Sequence, residues 1–398
     1  MTKIISVNAG SSSLKFQLYE MPEEKVLTNG IVERIGFEDA IFTICVDGEK
    51  VSKTLPVEDH SKAVSLLLDA LVEHDIVKSL EEIKGAGHRI VHGGEYFSAS
   101  SAVDSDVEGK VEELCALAPL HNPGALIGYR AFRTALPNCK HTFTYDTAFH
   151  QSMEDDSYIF AVPYEWYTDY KVRRYGAHGT SHQYVSERCA TLMKKPLKDT
   201  KIITCHLGGG ASISAVQGGK CVNTSMGFTP LGGVMMGTRC GDIDPAIVPY
   251  MMEKLNCTPK EMDTYLNKQS GLLGVSGVSS DSRDIAKAIE EGNYRADLAY
   301  RIFLNRVVQT VGSYYAQLGG CDAIVFTAGI GENDYEGRAK ICEKLSATLN
   351  IDFDFDINDG LRGKETELTK AGSKTKVYLI PTNEEVMIAR DCFHILGF

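Results

Sequence analysis

No stretch of this chain approaches the roughly 18 consecutive apolar residues that a membrane-spanning helix needs. Positive charge is also in deficit: 41 Lys and Arg stand against 53 Asp and Glu, a formal net charge of −12. That balance argues against a nucleic-acid partner and leaves local pockets open. The 11 cysteines are odd in number and scattered, with no Cys-x-x-Cys pair, so neither a zinc ribbon nor a disulfide framework is expected. Reduced thiols in a cytoplasm fit better, and Met1-Thr2-Lys3 opens straight onto a strand pattern, leaving no room for a signal peptide. There is no Gly-x-x-x-x-Gly-Lys-Ser/Thr loop, no Gly-x-Gly-x-x-Gly fingerprint, no low-complexity tract and no Pro/Ser-rich linker. A chain of 398 residues is long for one core, so two closely packed domains are expected, with a cleft between them.

What is there begins with Ile4-Ile5-Ser6-Val7-Asn8-Ala9-Gly10-Ser11-Ser12-Ser13-Leu14-Lys15-Phe16. A β-branched run enters a turn of small residues, and alternation resumes through Leu14, Phe16 and Leu18. Two strands joined by a tight turn fit this pattern. The turn offers hydroxyls and backbone N–H groups that suit a phosphate. An ordinary polar hairpin would look the same. An echo tips the balance: 198 positions on, Ile4, Ile5 and Gly10 recur as Ile202, Ile203 and Gly208, and Ser6 as Thr204. The chain therefore reads as a duplication.

The first half runs strands first, then strand and helix in alternation: strands over 26–31, 40–46 and 141–145, a short strand among the glycines of 85–94, and helices over 61–74, capped by Ser61, and 107–118. The second half is irregular over 164–182. It then repeats the plan, with a hairpin over 202–216, a strand at 220–223, helices near 245–254 and over 293–318, strands at 323–326 and 376–380, and a closing helix over 386–395. An α/β fold with mixed sheets follows. The expected division is an N-terminal domain over 1–150, with 386–398 packing back onto it, and a C-terminal domain over 151–385.

Three glycine-rich turns follow strands, at 8–13, 206–212 and 327–331. Arg89 and Arg239 each sit among glycines, which let a ligand approach the backbone, and arginine binds carboxylate or phosphate bidentately. A surface ion pair is the plain alternative for either one. His178 and His182 stand four apart, but Gly179 and Thr180 oppose a helix and no His-Glu-x-x-His glutamate is present. His178 therefore reads as a loop hydrogen-bond donor and His182 as structural. Asp146 and Glu384 follow strands, where α/β folds place active groups. Carboxylates beside a nucleotide most simply hold Mg²⁺; helix capping is the alternative, and the better reading for Glu385. A sugar hydroxyl needs an aspartate base, whereas a carboxylate acceptor is already ionised at neutral pH and needs cations instead. Two arginines and a histidine suit the second case.

Taken together, the three turns and the internal repeat resemble the duplicated ATPase fold of sugar kinases, actin and Hsp70, whose two domains are ribonuclease-H-like. The segments 8–15, 87–94, 145–151, 175–182, 206–212, 236–245, 326–333 and 382–385 resemble, in order, the signatures of the acetate kinase family. That resemblance implies reversible transfer of the γ-phosphoryl of ATP to acetate with Mg²⁺, Mn²⁺ being the alternative metal, in a homodimer. It implies that Arg89 and Arg239 hold the acetate carboxylate and the transferring phosphoryl, that His178 stabilises the equatorial oxygens and that Asp146 fixes the arginines and the metal. Glu384 would anchor Mg²⁺, with Asn8 on the metal or the phosphates. Val91, Leu120, Ala177 and Pro230 would line the acyl pocket. ATP would meet Ser13, Lys15, His206, Leu207, Gly208, Gly209, Gly210, Asp281, Ser282, Arg283, Gly329, Ile330, Gly331, Glu332 and Asn333. By the same resemblance the first hairpin faces the acceptor and the second cradles the ATP phosphates.

Three positions depart from the family pattern. Gly209 replaces an asparagine expected on the phosphates, Ser282 stands where phenylalanine is common, and Ala177 replaces the phenylalanine of the acetate methyl pocket. Losing that ring frees room for several methylenes, each worth about 0.8 kcal/mol when buried. A propionate or butyrate kinase is therefore the alternative activity, and a non-enzymatic nucleotide-binding regulator the alternative from another class.

Overall fold

The computed structural model describes residues 1–119 and 121–398, and the chain divides into two compact units. The first joins Met1–Phe149 to Asn383–Phe398; the second is the continuous segment His150–Thr382.

In the first unit, strands β1 (Thr2–Ala9), β2 (Ser13–Met21), β3 (Lys25–Glu33), β4 (Phe37–Val46), β5 (Glu49–Val57), β6 (Ile83–Ile90), β7 (Ser101–Ala102) and β8 (Lys140–Tyr145) form one sheet. Its order is β5-β4-β3-β2-β1-β6-β8-β7. Strands β1 to β5 form an antiparallel meander, while β6 runs parallel to both β1 and β8. The hairpin forms because Ile4, Ile5 and Val7 lose their surface together with Leu14, Phe16 and Leu18, which alternate with more exposed Lys15 and Gln17. The helix Asn122–Ala135 lies against its turn: a Cβ on Gly124 would come within 2.8 Å of the Gly10 carbonyl carbon, and one on Gly128 within 2.5 Å of the Ala9 Cβ. The helix Glu384–Leu396 meets β6 in the same way, through Gly85 and Gly87, whose added Cβ atoms would strike Cys392 and Ile388.

In the second unit, β9 (Lys201–Leu207), β10 (Ala211–Gln217), β11 (Lys220–Thr224), β12 (Ala323–Thr327), β13 (Thr366–Glu367) and β14 (Lys376–Leu379) form a sheet of order β11-β10-β9-β12-β14-β13. Strands β9, β10 and β11 are antiparallel, and β12 runs parallel to β9 and β14. The run β11-β10-β9-β12-β14 thus repeats β3-β2-β1-β6-β8 strand for strand, which is the duplication in three dimensions. The core is built on Ile203, Ile213, Ile324 and Phe326, covered by Phe303, Val307 and Val311 of the helix Tyr294–Leu318.

Several local expectations are corrected. The helix expected over 61–74 spans His60–Glu73 and is capped by the Asp59 carboxylate, not by Ser61, because Asp59 accepts from the Lys62 N–H. The helix expected over 107–118 ends at Glu113 and continues as one 3₁₀ turn. The stretch 164–182 is not irregular throughout: a short helix spans Glu165–Tyr170, and Gly179 and Thr180 begin the helix Gly179–Leu192 instead of opposing it. The turn expected at 327–331 is a short helix, Ala328–Asn333.

Candidate active site

Parallel strands collect the chemistry of the first unit at their carboxyl ends. Arg89 lies near the end of β6, one residue before the Ile90–Tyr145 pair, and Asp146 follows β8 directly. The guanidinium donates from Nε to Asp146 Oδ1 at 2.9 Å and from a terminal nitrogen to Oδ2 at 2.5 Å, a bidentate pair on a carboxylate with no exposure. The Asp146 N–H is held by the Ile90 carbonyl at 2.9 Å, so strand pairing itself sets the carboxylate.

Glu384 and Glu385 open the Glu384–Leu396 helix, which Asn383 caps by accepting from the Val386 N–H. Glu385 forms an ion pair with Lys15. Glu384 is different: among the described residues its buried Oε1 has no hydrogen-bond partner. Burial pushes its carboxyl up to about 7; Arg89 opposes the shift, and Asp146 and Glu385 reinforce it. Burial works against the charge on Arg89, but Asp146, Glu384 and Glu385 outweigh it and hold the guanidinium protonated. The arrangement is a fixed cation with an acid beside it whose Oε1 accepts no hydrogen bond among the described residues, which suits a hard cation.

The turn at Gly10 is closed by its N–H to the Ser13 carbonyl at 2.8 Å and tied to the His60 ring through the Gly10 carbonyl at 2.7 Å. Asn8 pairs with Lys15 across the hairpin, Ser13 opens β2, and Val91 is half-buried just past β6. Leu120 lies outside the described residues.

The second unit places its own set around the β9–β10 turn. Gly208 N–H bonds the Gly210 carbonyl at 3.0 Å, and Gly237 N–H bonds the Gly209 carbonyl at 3.1 Å. Gly209 is exposed, and a Cβ there would meet nothing within 4 Å, so the missing asparagine leaves open space. His178 sits before the Gly179–Leu192 helix with φ of 60°, a left-handed conformation costly for a residue with a Cβ. Gly176 precedes it at φ +75°, where a Cβ would strike the His150 ring at 2.6 Å; the same ring holds the Ala177 carbonyl at 3.0 Å. His178 Nδ1 meets Ser212 Oγ at 2.9 Å, and its ring stacks on His206 with centroids 4.0 Å apart. His206 Nδ1 contacts Ser181 Oγ, which contacts Thr382 Oγ1.

Arg239 contrasts with Arg89. It donates to the Pro230 carbonyl at 3.2 Å and lies beside Met236 Sδ, and among the described residues it has no carboxylate partner. Burial alone lowers its pKa, so its charge is desolvated and unspent. A point 3.4 Å from its terminal nitrogen is also 3.4 Å from His178 Nε2, where a Cβ on Gly210 would sit. Ala177 is buried in the same core as Met226, Met235 and Met236.

Asp281 caps the helix Ser282–Glu290 and binds the exposed Arg283 through both carboxylate oxygens. Ser282 is the first residue of that helix. Gly329 and Asn333 are exposed, Ile330 is half-buried and Gly331 buried, and the Asn333 side chain holds the Gly329 carbonyl at 2.8 Å. Glu332 Oε1 accepts from the N–H groups of Ala328 and Thr382. Sequence reasoning overlooked Ser212, Ser181 and Thr382 as ring partners. For Ser212 the signal was the alternation of β10, which turns Ser212 and Ser214 to one face; Ser181 and Thr382 lie outside that strand and carried no such signal.

The acetokinase family model matches residues 3–390. The acetate kinase of Macrococcus caseolyticus is 54% identical over 391 residues, covering 98% of each chain. The structure of the Porphyromonas gingivalis acetate kinase superposes with a TM-score of 0.95 at 44% identity, over all of both chains. A propionate kinase from Francisella tularensis superposes at 0.93 with 40% identity, over 99% of this chain and all of that one. With the strand duplication and the two groups of charged side chains in place, these matches settle its membership: the chain belongs to the acetokinase family.

Proposed function

We propose that this protein transfers the γ-phosphoryl group of ATP to acetate, reversibly and directly in line. An acetate oxygen forms a bond to the γ-phosphorus, and the bond to the β,γ-bridging oxygen breaks with its electron pair leaving on ADP. No proton moves, so no general base is required; the demand is for positive charge and positioning. The observation that carries this reading is Arg239, a desolvated guanidinium whose partners among the described residues are neutral, next to the ring of His178. Arg239 and Arg89 take the acetate carboxylate and the transferring phosphoryl, and His178 its equatorial oxygens. Asp146 keeps Arg89 in one orientation.

A divalent cation fits the residues present. The buried, unpartnered Oε1 of Glu384 is a hard anionic donor, with Asn8 as the second candidate in the same unit. When bound, Mg²⁺ or Mn²⁺ neutralises phosphate charge. The ATP phosphates are assigned to 206–210 with Ser13 and Lys15, and the nucleoside to Asp281–Arg283 and Gly329–Asn333. The 1–150 portion then serves the acceptor and 151–385 the nucleotide.

A homodimer is supported by large exposed side chains of the second unit: Tyr164, Trp166 and Tyr170, and on the helix Ile247–Leu255, which buries no residue, Ile247, Tyr250 and Leu255. A cytoplasmic setting is supported by 11 free thiols, and no helix among the described residues is long and apolar enough to cross a membrane.

Incubating the protein with ATP, Mg²⁺ and acetate, propionate or butyrate, and trapping acyl phosphate with hydroxylamine, tests the reading. Acetate hydroxamate is expected; no product from any acid would overturn it. The small side chain at Ala177 favours propionate as a second acceptor, and a kcat/KM for propionate far below that for acetate, unmoved by Ala177→Phe, would remove that extension.

A further inference from the structure

His178 and His182 lie four residues apart at the start of one helix, and both rings reach the same atom. Ser212 Oγ is 2.9 Å from His178 Nδ1 and 2.7 Å from His182 Nε2. On its far side, His182 Nδ1 is 2.7 Å from Thr204 Oγ1, which lies 3.4 Å from the Ser214 carbonyl oxygen. Each hydroxyl has one proton, and a carbonyl only accepts. If the Thr204 hydroxyl points to Ser214, His182 must donate to Thr204 from Nδ1. A neutral imidazole has one N–H, so Nε2 of His182 then accepts, and the Ser212 proton is committed to it. Ser212 can only accept from His178 Nδ1.

We infer that His182, through Ser212, positions the proton of His178 on Nδ1, so that His178 can donate from Nε2 only as an imidazolium and meets the phosphoryl group as a cation. The inference rests on the kinase reading above and deepens it. His182 touches no substrate in this scheme; it is a positioning residue. Burial lowers its basicity well below the usual range, as do His150 and His206, which keeps it neutral as the relay requires. Among the described residues, the titratable and charged groups around His178 include His206, stacked on its ring, Arg239 across Gly210, and His182 through Ser212. Arg239 penalises a second cation, and the relay counters that penalty by removing the neutral alternative in which Nε2 carries the only proton.

The test uses ¹⁵N-histidine NMR on the ligand-free chain, together with kinetics. In the unsubstituted protein His182 is expected neutral with its proton on Nδ1. The kcat/KM for ATP is expected to fall about tenfold per pH unit above the pKa that NMR assigns to His178. Thr204→Val removes the acceptor at Nδ1, moves the His182 proton to Nε2 and turns the Ser212 hydroxyl toward His178. The neutral ring then has its proton on Nε2, and the alkaline fall flattens. Ser212→Ala flattens it likewise, and if that variant does not fold, Thr204→Val carries the test. A proton on Nε2 of His182 in the unsubstituted protein, or an alkaline limb unchanged in the folded variants, overturns the inference. A purely structural role would lower Tm and leave both readouts in place. If the protein forms no acyl phosphate, the kinase reading falls while NMR still decides the relay.

Discussion

Replacing Asp146 by Asn keeps the shape of the side chain and removes its charge. One amide oxygen can still accept from Arg89 Nε at 2.9 Å, but an amide NH₂ would then face the guanidinium donor that now sits 2.5 Å from Oδ2. Breaking one partner of a buried ion pair costs about 3–5 kcal/mol. The Arg89 side chain retains 21% exposure, so the lower end, about 3 kcal/mol, applies. In a unit of this size each kcal/mol moves Tm by about 2–4 °C, so a drop of roughly 6–12 °C is expected in scanning calorimetry. Activity in the hydroxamate assay should fall with it, because Arg89 loses its fixed orientation. The double variant Arg89→Met/Asp146→Leu separates the two effects: an apolar pair of similar volume often restores or exceeds the stability of a buried ion pair. Tm should recover in it while turnover stays lost. If Asp146→Asn melts and turns over as the unsubstituted protein does, or if the double variant is less stable than Asp146→Asn, the pair is not what organises this half of the site.

Arg239→Ala should cut kcat by about 10³ or more, as loss of an arginine on a transferring phosphoryl does, and near-normal turnover would exclude the role given to it. Gly209→Asn has open space to occupy and is expected to lower KM for ATP severalfold in steady-state assays with little change in Tm. Stability should fall on acidification: burial holds His88 and His182 well below the usual histidine range, and His141 at about 4. The unfolded chain takes up protons on these rings below about pH 6.5 and the folded one does not, so stability rises with pH across that window and is lost as pH falls from 6.5 toward 4. Each ring should cost about 2 kcal/mol at pH 5 relative to pH 7, and equal urea midpoints at the two pH values would refute this.

Much of the frame was legible because its signals are local. Ile4, Ile5 and Val7, their echo at 202–203, and Ala323–Phe326 are buried runs each followed by glycine, and Asn293 caps the long helix where the pattern began. The helices Asn122–Ala135 and Gly179–Leu192 were not legible for a common reason. Each opens on residues that discourage helix (Gly124, or Gly179 and Thr180), and the glycines are there for tertiary reasons. Gly124 admits the hairpin turn, and Gly179 follows a His178 backbone bent to aim its ring. In the site, glycine-flanked Arg89 and Arg239 stood out by residue type. That one is locked to a carboxylate and the other is not depends on contacts 57 residues apart and on the absence of a contact, which no spacing records.

The first unit is discontinuous in sequence, and this bears on the order in which a ribosome can make it. Residues 150–382 form one uninterrupted segment, able to close its sheet as soon as β14 has emerged. The first unit has all eight of its strands by residue 145, yet it must wait through more than 230 further residues for the helix that carries Glu384 and Glu385. Until then Gly85 and Gly87 of β6 have no helix to cover them, and Lys15 and Arg89 lack acidic neighbours that both have in the finished fold. A chain that stalls anywhere before residue 384 therefore ends with its acid set incomplete. Charge complementarity in the first unit is complete only once the helix Glu384–Leu396 has been made.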